Sequence, residues 1–167
     1  SYWLEHRLWG DTPAGYHVVN VLLHALAAVL LWRVLLRLRL PAPTSLLAAA
    51  LFAAHPVQVE SVAWVAERKN TLSMVLYLSA GLAYLRFDPL DDRIPRAFFR
   101  SRWWWVALVL FAAAMLSKTV VLSWPAAWLL MVYWRRGRIA LRDVAATLPL
   151  FAMGIGLGLL TAVTETT

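Results

Sequence analysis

The chain has 167 residues, of which 62% are hydrophobic and only 15% charged, with a mean hydropathy of +0.65 and a formal charge of +7. That composition excludes an ordinary soluble domain, because several apolar stretches approach the roughly 20 helical residues that cross a bilayer. The absence of cysteine excludes disulfides and cysteine-ligated metals. The positive charge sits in short connections between apolar runs, as membrane orientation requires, which argues against a nucleic-acid partner.

The first apolar run is "YHVVNVLLHALAAVLLWRVLLR", residues 16–37, closed by the basic and proline-containing "LRLPAP". His17, Asn20 and His24 fall on one helical face at steps of three and four. The plain reading of that face is interhelical hydrogen bonding, and direct ligand contact is the alternative. The second run, "TSLLAAALFAAH", residues 44–55, is about 18 Å long as a helix, too short to span alone. Pro56 disfavours helix at His55 and suits the first turn of a new helix, so a broken pair is expected, the second member running from Pro56 to about Lys69.

The stretch "HPVQVESVAWVAERKN", residues 55–70, gathers polar groups between two apolar runs. On a helix Glu60, Ala63, Trp64 and Glu67 share one face, so the segment reads as amphipathic and lying along the outer interface. A solvated surface connector is one reading. A polar, partly buried pocket for an anionic lipid phosphate and a hydroxylated group is the other, since ionisable groups beside short spans mark functional sites. Glu60 and Glu67 would stand about 10 Å apart along such an axis, too far for a retaining glycosidase pair. No histidine falls in a metal-ligand pattern, and neither a metal nor a cofactor is called for.

A third run follows at residues 71–87, then the charged, proline-bearing loop "DPLDDRIPRAFFRSR", residues 88–102. "WWWVALVLFAAAMLS", residues 103–117, opens on an interfacial tryptophan anchor. Lys118 stands alone at its end, readable as a snorkelling lysine or as a phosphate ligand. "TVVLSWPAAWLLMVYW", residues 119–134, carries Pro125 as a tolerated kink. "RRGRIALRD" leads into a last run at residues 144–163.

The expected fold class is therefore all-α: a polytopic integral membrane helix bundle of about six spans. One span is short and broken, and an outer amphipathic helix follows it. If Arg37 is cytoplasmic, eleven arginines fall on that side against four arginines and lysines outside. This positive-inside split places residues 55–70 and Lys118 on the outer face. Ser1 is not Met and the chain stops just after an apolar run, so residues 1–167 are expected to be one fragment of a membrane domain.

Three stretches resemble, in order, the membrane portion of the transmembrane, tetratricopeptide-repeat-containing O-mannosyltransferases and their bacterial relatives. They are "LWGDTPAGYHVVNVLLHALAAVLLW", "AAALFAAHPVQVESVAWVAERKNTLS" and "LSKTVVLSWPAAWLL". The resemblance implies a C-type glycosyltransferase architecture, with the active site at the extracytoplasmic surface and tetratricopeptide repeats towards the C-terminus. It implies a polyprenyl-phosphate sugar as donor, mannose as the sugar, and a protein or other hydroxyl acceptor. By similarity His55, Pro56, Glu60 and Arg68 match the family's loop motif, and Lys118 matches a lysine that begins a later span. Where that lysine is often followed by Glu, this chain has Thr119.

The substrate-binding residues expected on these grounds are His55, Glu60, Glu67, Arg68, Lys69 and Lys118. Enzymes of this architecture place a catalytic carboxylate in the first outer loop, so the base is expected upstream of the fragment, which alone would be inactive. Neither Glu5 nor Asp11 sits in that motif, and Glu60 is the best carboxylate present. The rival reading is a non-catalytic membrane anchor that displays repeats as an assembly platform. A transporter is disfavoured by the few spans and the lack of paired discontinuous helices. Alanine-, leucine- and arginine-rich usage suits a bacterial inner membrane.

Overall fold

Seven α-helices account for most of the described residues in the computed structural model, which are Arg7, Gly10 and residues 13–64, 67–90 and 98–165. No strand occurs among them, so the described part of the chain is all-α. Glu5, Asp11, Arg93 and Arg96 lie outside the described residues. The chain divides into two compact units, Ser1–Val75 and Leu76–Thr167.

The first unit opens with α1, Pro13–Arg37. α2, Ala42–Ala54, follows and packs against it. Small residues are buried on both helices, Ala27 on α1 and Ser45 and Ala49 on α2, of the kind that let two backbones approach closely. α2 ends as the proline dictates: His55 is extended, with φ −68° and ψ 129°, ahead of Pro56.

The helix after the break is much shorter than the expected run to Lys69. α3 covers only Gln58–Ala63, because Trp64 is extended at φ −89° and ψ 120°. A reason lies on α1. Asn20 Nδ2 donates to the carbonyls of Val62 and Trp64, at 3.4 and 3.2 Å, and so satisfies groups that a continuing helix would have used itself. α4 then starts three residues earlier than the apolar run predicts and spans Arg68–Phe87. Its first residues, as far as Val75, belong to the first unit.

The second unit contains the rest of α4, a 3-10 turn at Phe98–Arg100, and α5, Arg102–Ser117. A second 3-10 turn, Thr119–Ser123, leads into α6, Trp124–Arg136, and α7, Leu141–Glu165, completes the chain. Pro125 is not a mid-helix kink. The run begins as 3-10, and Pro125 sits in the first turn of α6, where its missing N–H costs nothing. Gly137 ends α6 in the left-handed region at φ 68°, donating its N–H to Tyr133 O at 2.7 Å.

An aromatic core holds this unit together. Trp124 and Trp128 stack at 5.4 Å, Tyr84 approaches Trp128 at 4.5 Å, and Phe111 lies 5.7 Å from Trp124. Each ring buries a large area and such pairs add to that burial. Gly154 on α7 lets Leu122 come so near that a Cβ there would sit 2.5 Å from its Cδ1.

Among the described residues, two helices are long and apolar enough to cross a membrane, Pro13–Arg37 and Leu141–Thr161; Ala42–Ala54 and Arg102–Ser117 are apolar but shorter. Both long helices turn large apolar side chains outward, among them Leu22 and Val29 on α1 and Leu148 and Leu159 on α7. Surfaces of that kind belong in lipid, and the chain is a membrane protein.

Candidate functional site

The polar stretch expected to carry function folds within the first unit as the α2–α3–α4 hairpin laid on α1. Arg68, the first residue of α4, points inward and is 2% exposed. Its Nε donates to Asn20 Oδ1 at 3.1 Å and its Nη2 to Tyr16 O at 3.2 Å. The guanidinium also lies over the Tyr16 ring, 5.6 Å from the centroid. Asn20 is fully buried and uses both ends of its amide, accepting from Arg68 and donating to the end of α3. A buried charge needs such neighbours, because without them its desolvation would go uncompensated.

Its two neighbours in sequence take the other side. Glu67 Oε2 accepts from Asn70 Nδ2 at 2.6 Å, and the same amide nitrogen reaches Ser61 Oγ at 3.1 Å, tying α3 to α4. Lys69 Nζ lies 3.8 Å from Glu67 Oε1 and is largely exposed. Glu60 is exposed on α3. Glu60 and Glu67 therefore do not share one helical face, since the chain breaks between them at Trp64.

His55 lines a groove of about 280 Å³ together with His17 and His24 of α1 and Gln58 of α3. Ala53, Ala54, Val21, Val59, Val62 and Ala63 make its apolar walls. Two of the three imidazoles have defined roles. His24 donates Nε2–H to Ala53 O at 3.0 Å, and His55 accepts the Val57 N–H at Nδ1, 3.2 Å away. The neutral His55 ring thus carries its proton on Nε2 and can donate from it. The His17, Asn20 and His24 face accordingly divides its work. Asn20 and His24 bind neighbouring helices, and His17 and His24 border the groove. No group of three or more metal-ligating side chains occurs among the described residues.

Lys118 belongs to the second unit, extended between α5 and the following 3-10 turn, half-buried, with its backbone N–H on Ala114 O at 2.9 Å. The same unit holds a cluster that sequence reading passed over. Arg136, at the end of α6, binds Asp88 after α4 and, at 3.0 Å, Asp143 of α7. Asp143 Oδ2 also accepts the Ala140 N–H at 2.9 Å, bracing the start of α7. Burial pushes the Asp88 carboxyl above its ordinary value, with nearby Asp143 adding to the rise while Arg136 and the Leu90 N–H pull the other way. The only sequence hint was the mixture of Asp and Arg in both connections.

Over part of its length the chain is similar to several curated proteins. The chain is 46% identical over 87 residues to protein O-mannosyl-transferase Tmtc1 of Drosophila melanogaster, covering 52% of this chain and 10% of that protein. It is 36% identical over 125 residues to Tmtc2 of the same species, covering 74% and 13%. For human TMTC4 the figures are 38% over 124 residues, 65% and 16%. The chain is a relative of the TMTC protein O-mannosyl-transferases. The family resemblance read from the residues is thereby shown, although these matches are animal proteins and lend no support to a bacterial origin. The chain spans only 10–16% of the length of these TMTC relatives. No family model matches the chain, and no solved structure does.

Proposed function

We propose that the chain is part of the membrane domain of a glycosyltransferase that moves mannose from a polyprenyl phosphate to a protein hydroxyl at the extracytoplasmic face. The observation that carries this reading is the hairpin. It presents Glu60 and Lys69 outward, with half-buried Glu67 between them in sequence, on the same hairpin that borders the His55 groove, in a chain related to proteins named O-mannosyl-transferases. In this reading the membrane domain crosses the bilayer six times within this chain, α2 being the short, broken crossing. Tetratricopeptide repeats follow in the full-length protein.

The transfer needs an acceptor oxygen to attack the sugar's anomeric carbon while the bond from that carbon to the phosphate oxygen breaks. The acceptor proton goes to a carboxylate and the lipid phosphate leaves as an anion. Glu60 is the carboxylate this chain offers, with a further acidic residue of the full-length protein as the base if Glu60 only holds sugar hydroxyls. Lys69 supplies positive charge for the departing phosphate. Arg68, expected among the phosphate ligands, gives Nε and Nη2 to α1, and we assign it the positioning of the hairpin. His55 offers Nε2–H to a hydroxyl at the groove.

The test is transfer by the full-length protein in proteoliposomes, from polyprenyl-phosphate mannose to an acceptor peptide. Glu60→Gln and Lys69→Ala should each lower turnover about a hundredfold, the loss typical of removing a catalytic carboxylate or one donor to the charge of the transition state, with membrane yield unchanged. Wild-type rates in both variants would overturn the assignment. No transfer by the wild-type protein, with either sugar donor or acceptor varied, would favour the assembly platform.

A further inference from the structure

Charge is sorted by depth at one end of the second unit, where α4 and α6 finish and α5 and α7 begin. The contacts of Arg136 with Asp88 and Asp143, and of Trp104 Nε1 with Ala146 O at 3.0 Å, bring these four helix ends together. Both carboxylates are buried and bound to Arg136. Arg86, Arg100, Arg102 and Arg138 are exposed, and none of them pairs with a carboxylate among the described residues. Among the described residues, this end therefore presents a cationic surface with its counter-charges hidden beneath.

Two of those arginines share one indole. Arg86 lies 4.4 Å and Arg102 5.3 Å from the centroid of Trp103. Stacking uses the flat face of a guanidinium, while its five N–H donors lie in the plane and remain directed outward from the edge. The ring thus holds two forks in place without consuming their hydrogen bonds. At the same end of α5, Phe99 is 60% and Trp105 50% exposed, with Trp105 Nε1 donating to Phe99 O at 3.0 Å. Exposed rings of this size are costly in water but at home at headgroup depth, where an apolar body and a polar rim meet.

We propose that the Arg86–Trp103–Arg102 cluster binds the phosphate of an anionic phospholipid headgroup from the surrounding bilayer. Charge selects an anion, and the exposed rings of Phe99 and Trp105 at the same helix end set the cluster at headgroup depth, where that anion comes with a lipid. A soluble phosphate would gain from the first and nothing from the second. The site lies in the second unit and does not depend on the glycosyltransferase reading.

The experiment reconstitutes the full-length protein in equimolar phosphatidylcholine and phosphatidylglycerol, releases it gently into detergent, and counts retained lipids by native mass spectrometry. The wild-type protein should retain phosphatidylglycerol in preference. Arg86→Gln and Arg102→Gln should each lower that preference about fivefold, the effect of one basic residue near an anionic surface. Arg37→Gln, on α1, should leave it unchanged. The Arg86→Lys, Arg102→Lys pair keeps charge but loses the planar fork, and should fall between wild type and the glutamine pair. Equal retention of the two lipids by the wild-type protein would overturn the proposal, as would an unaltered preference in the glutamine variants. Displacement of phosphatidylglycerol by millimolar glycerol phosphate would overturn it too, since the site would then be one for soluble anions.

Discussion

Asn20 shows how much one amide can organise inside an apolar helix. Its oxygen holds the Arg68 guanidinium, and its nitrogen closes the carbonyl end of α3. Replacing it with Leu leaves two carbonyls and a charged N–H short of partners at a buried site. Asn20→Leu should cost about 2–3 kcal/mol, read as a lower unfolding midpoint in detergent. Tyr16→Phe should cost less, about 1 kcal/mol for the hydroxyl's bond to Gly10 O, because Arg68 uses the Tyr16 backbone oxygen and the face of its ring, both of which survive. Equal losses in the two variants would mean that the amide is not the keystone. The sequence made Asn20 visible as a polar residue in mid-span, and interhelical hydrogen bonding was the plain reading of its face. What spacing alone could not say is which way Arg68 points. Glu67, Arg68 and Lys69 are consecutive, and only the position of α1 decides which of them is buried.

At the scale of elements, proline was legible and helix length was not. Pro56 broke the chain where expected, since its effect on His55 is local. The stop at Trp64 was hidden, because it depends on an acceptor–donor match with a residue more than forty positions earlier. The ends of α4, α6 and α7 were likewise joined by a long-range ion cluster that no local pattern announces. Arg136→Leu would strand Asp88 and Asp143 in a buried site, and should destabilise the protein by about 3–5 kcal/mol. Asp88 also predicts a pH dependence. Its carboxyl is raised in the folded protein, so the native state binds that proton more tightly than the unfolded chain does. The associated stability is present below the ordinary carboxylate range and is lost as pH rises through the raised value. Asp88→Asn should flatten that part of the stability curve, measured by unfolding across acidic pH. A curve identical to wild type would remove Asp88 as its source.

For the whole molecule, the apolar runs were readable because lipid imposes a single requirement on every span, length and apolarity, that needs no tertiary contact to recognise. Orientation came from arginine placement, and the proposed topology puts Glu67 outside and Arg138 in the cytoplasm. Single cysteines at those positions, in a chain that has none of its own, should react with an impermeant reagent from opposite faces of sealed vesicles. Reaction from the same face would end both the topology and the placement of the site. The groove itself was not legible: His17, His24 and His55 come from two stretches of chain, and only the packing of α2 on α1 brings them to one place.

The shortness of α2 has a consequence for the lipid around it. Thirteen residues make a rod of about 20 Å, set against a hydrocarbon core of about 30 Å. With Leu46, Leu47 and Leu51 turned outward, bilayer must still wet this helix along its whole length. In the six-span arrangement the leaflet beside it has to dip to meet His55, as bilayers do around a span that is too short. Headgroups would descend there towards the imidazoles, so a lipid-borne phosphate would reach the groove by the sagging of its own monolayer, without first leaving the membrane.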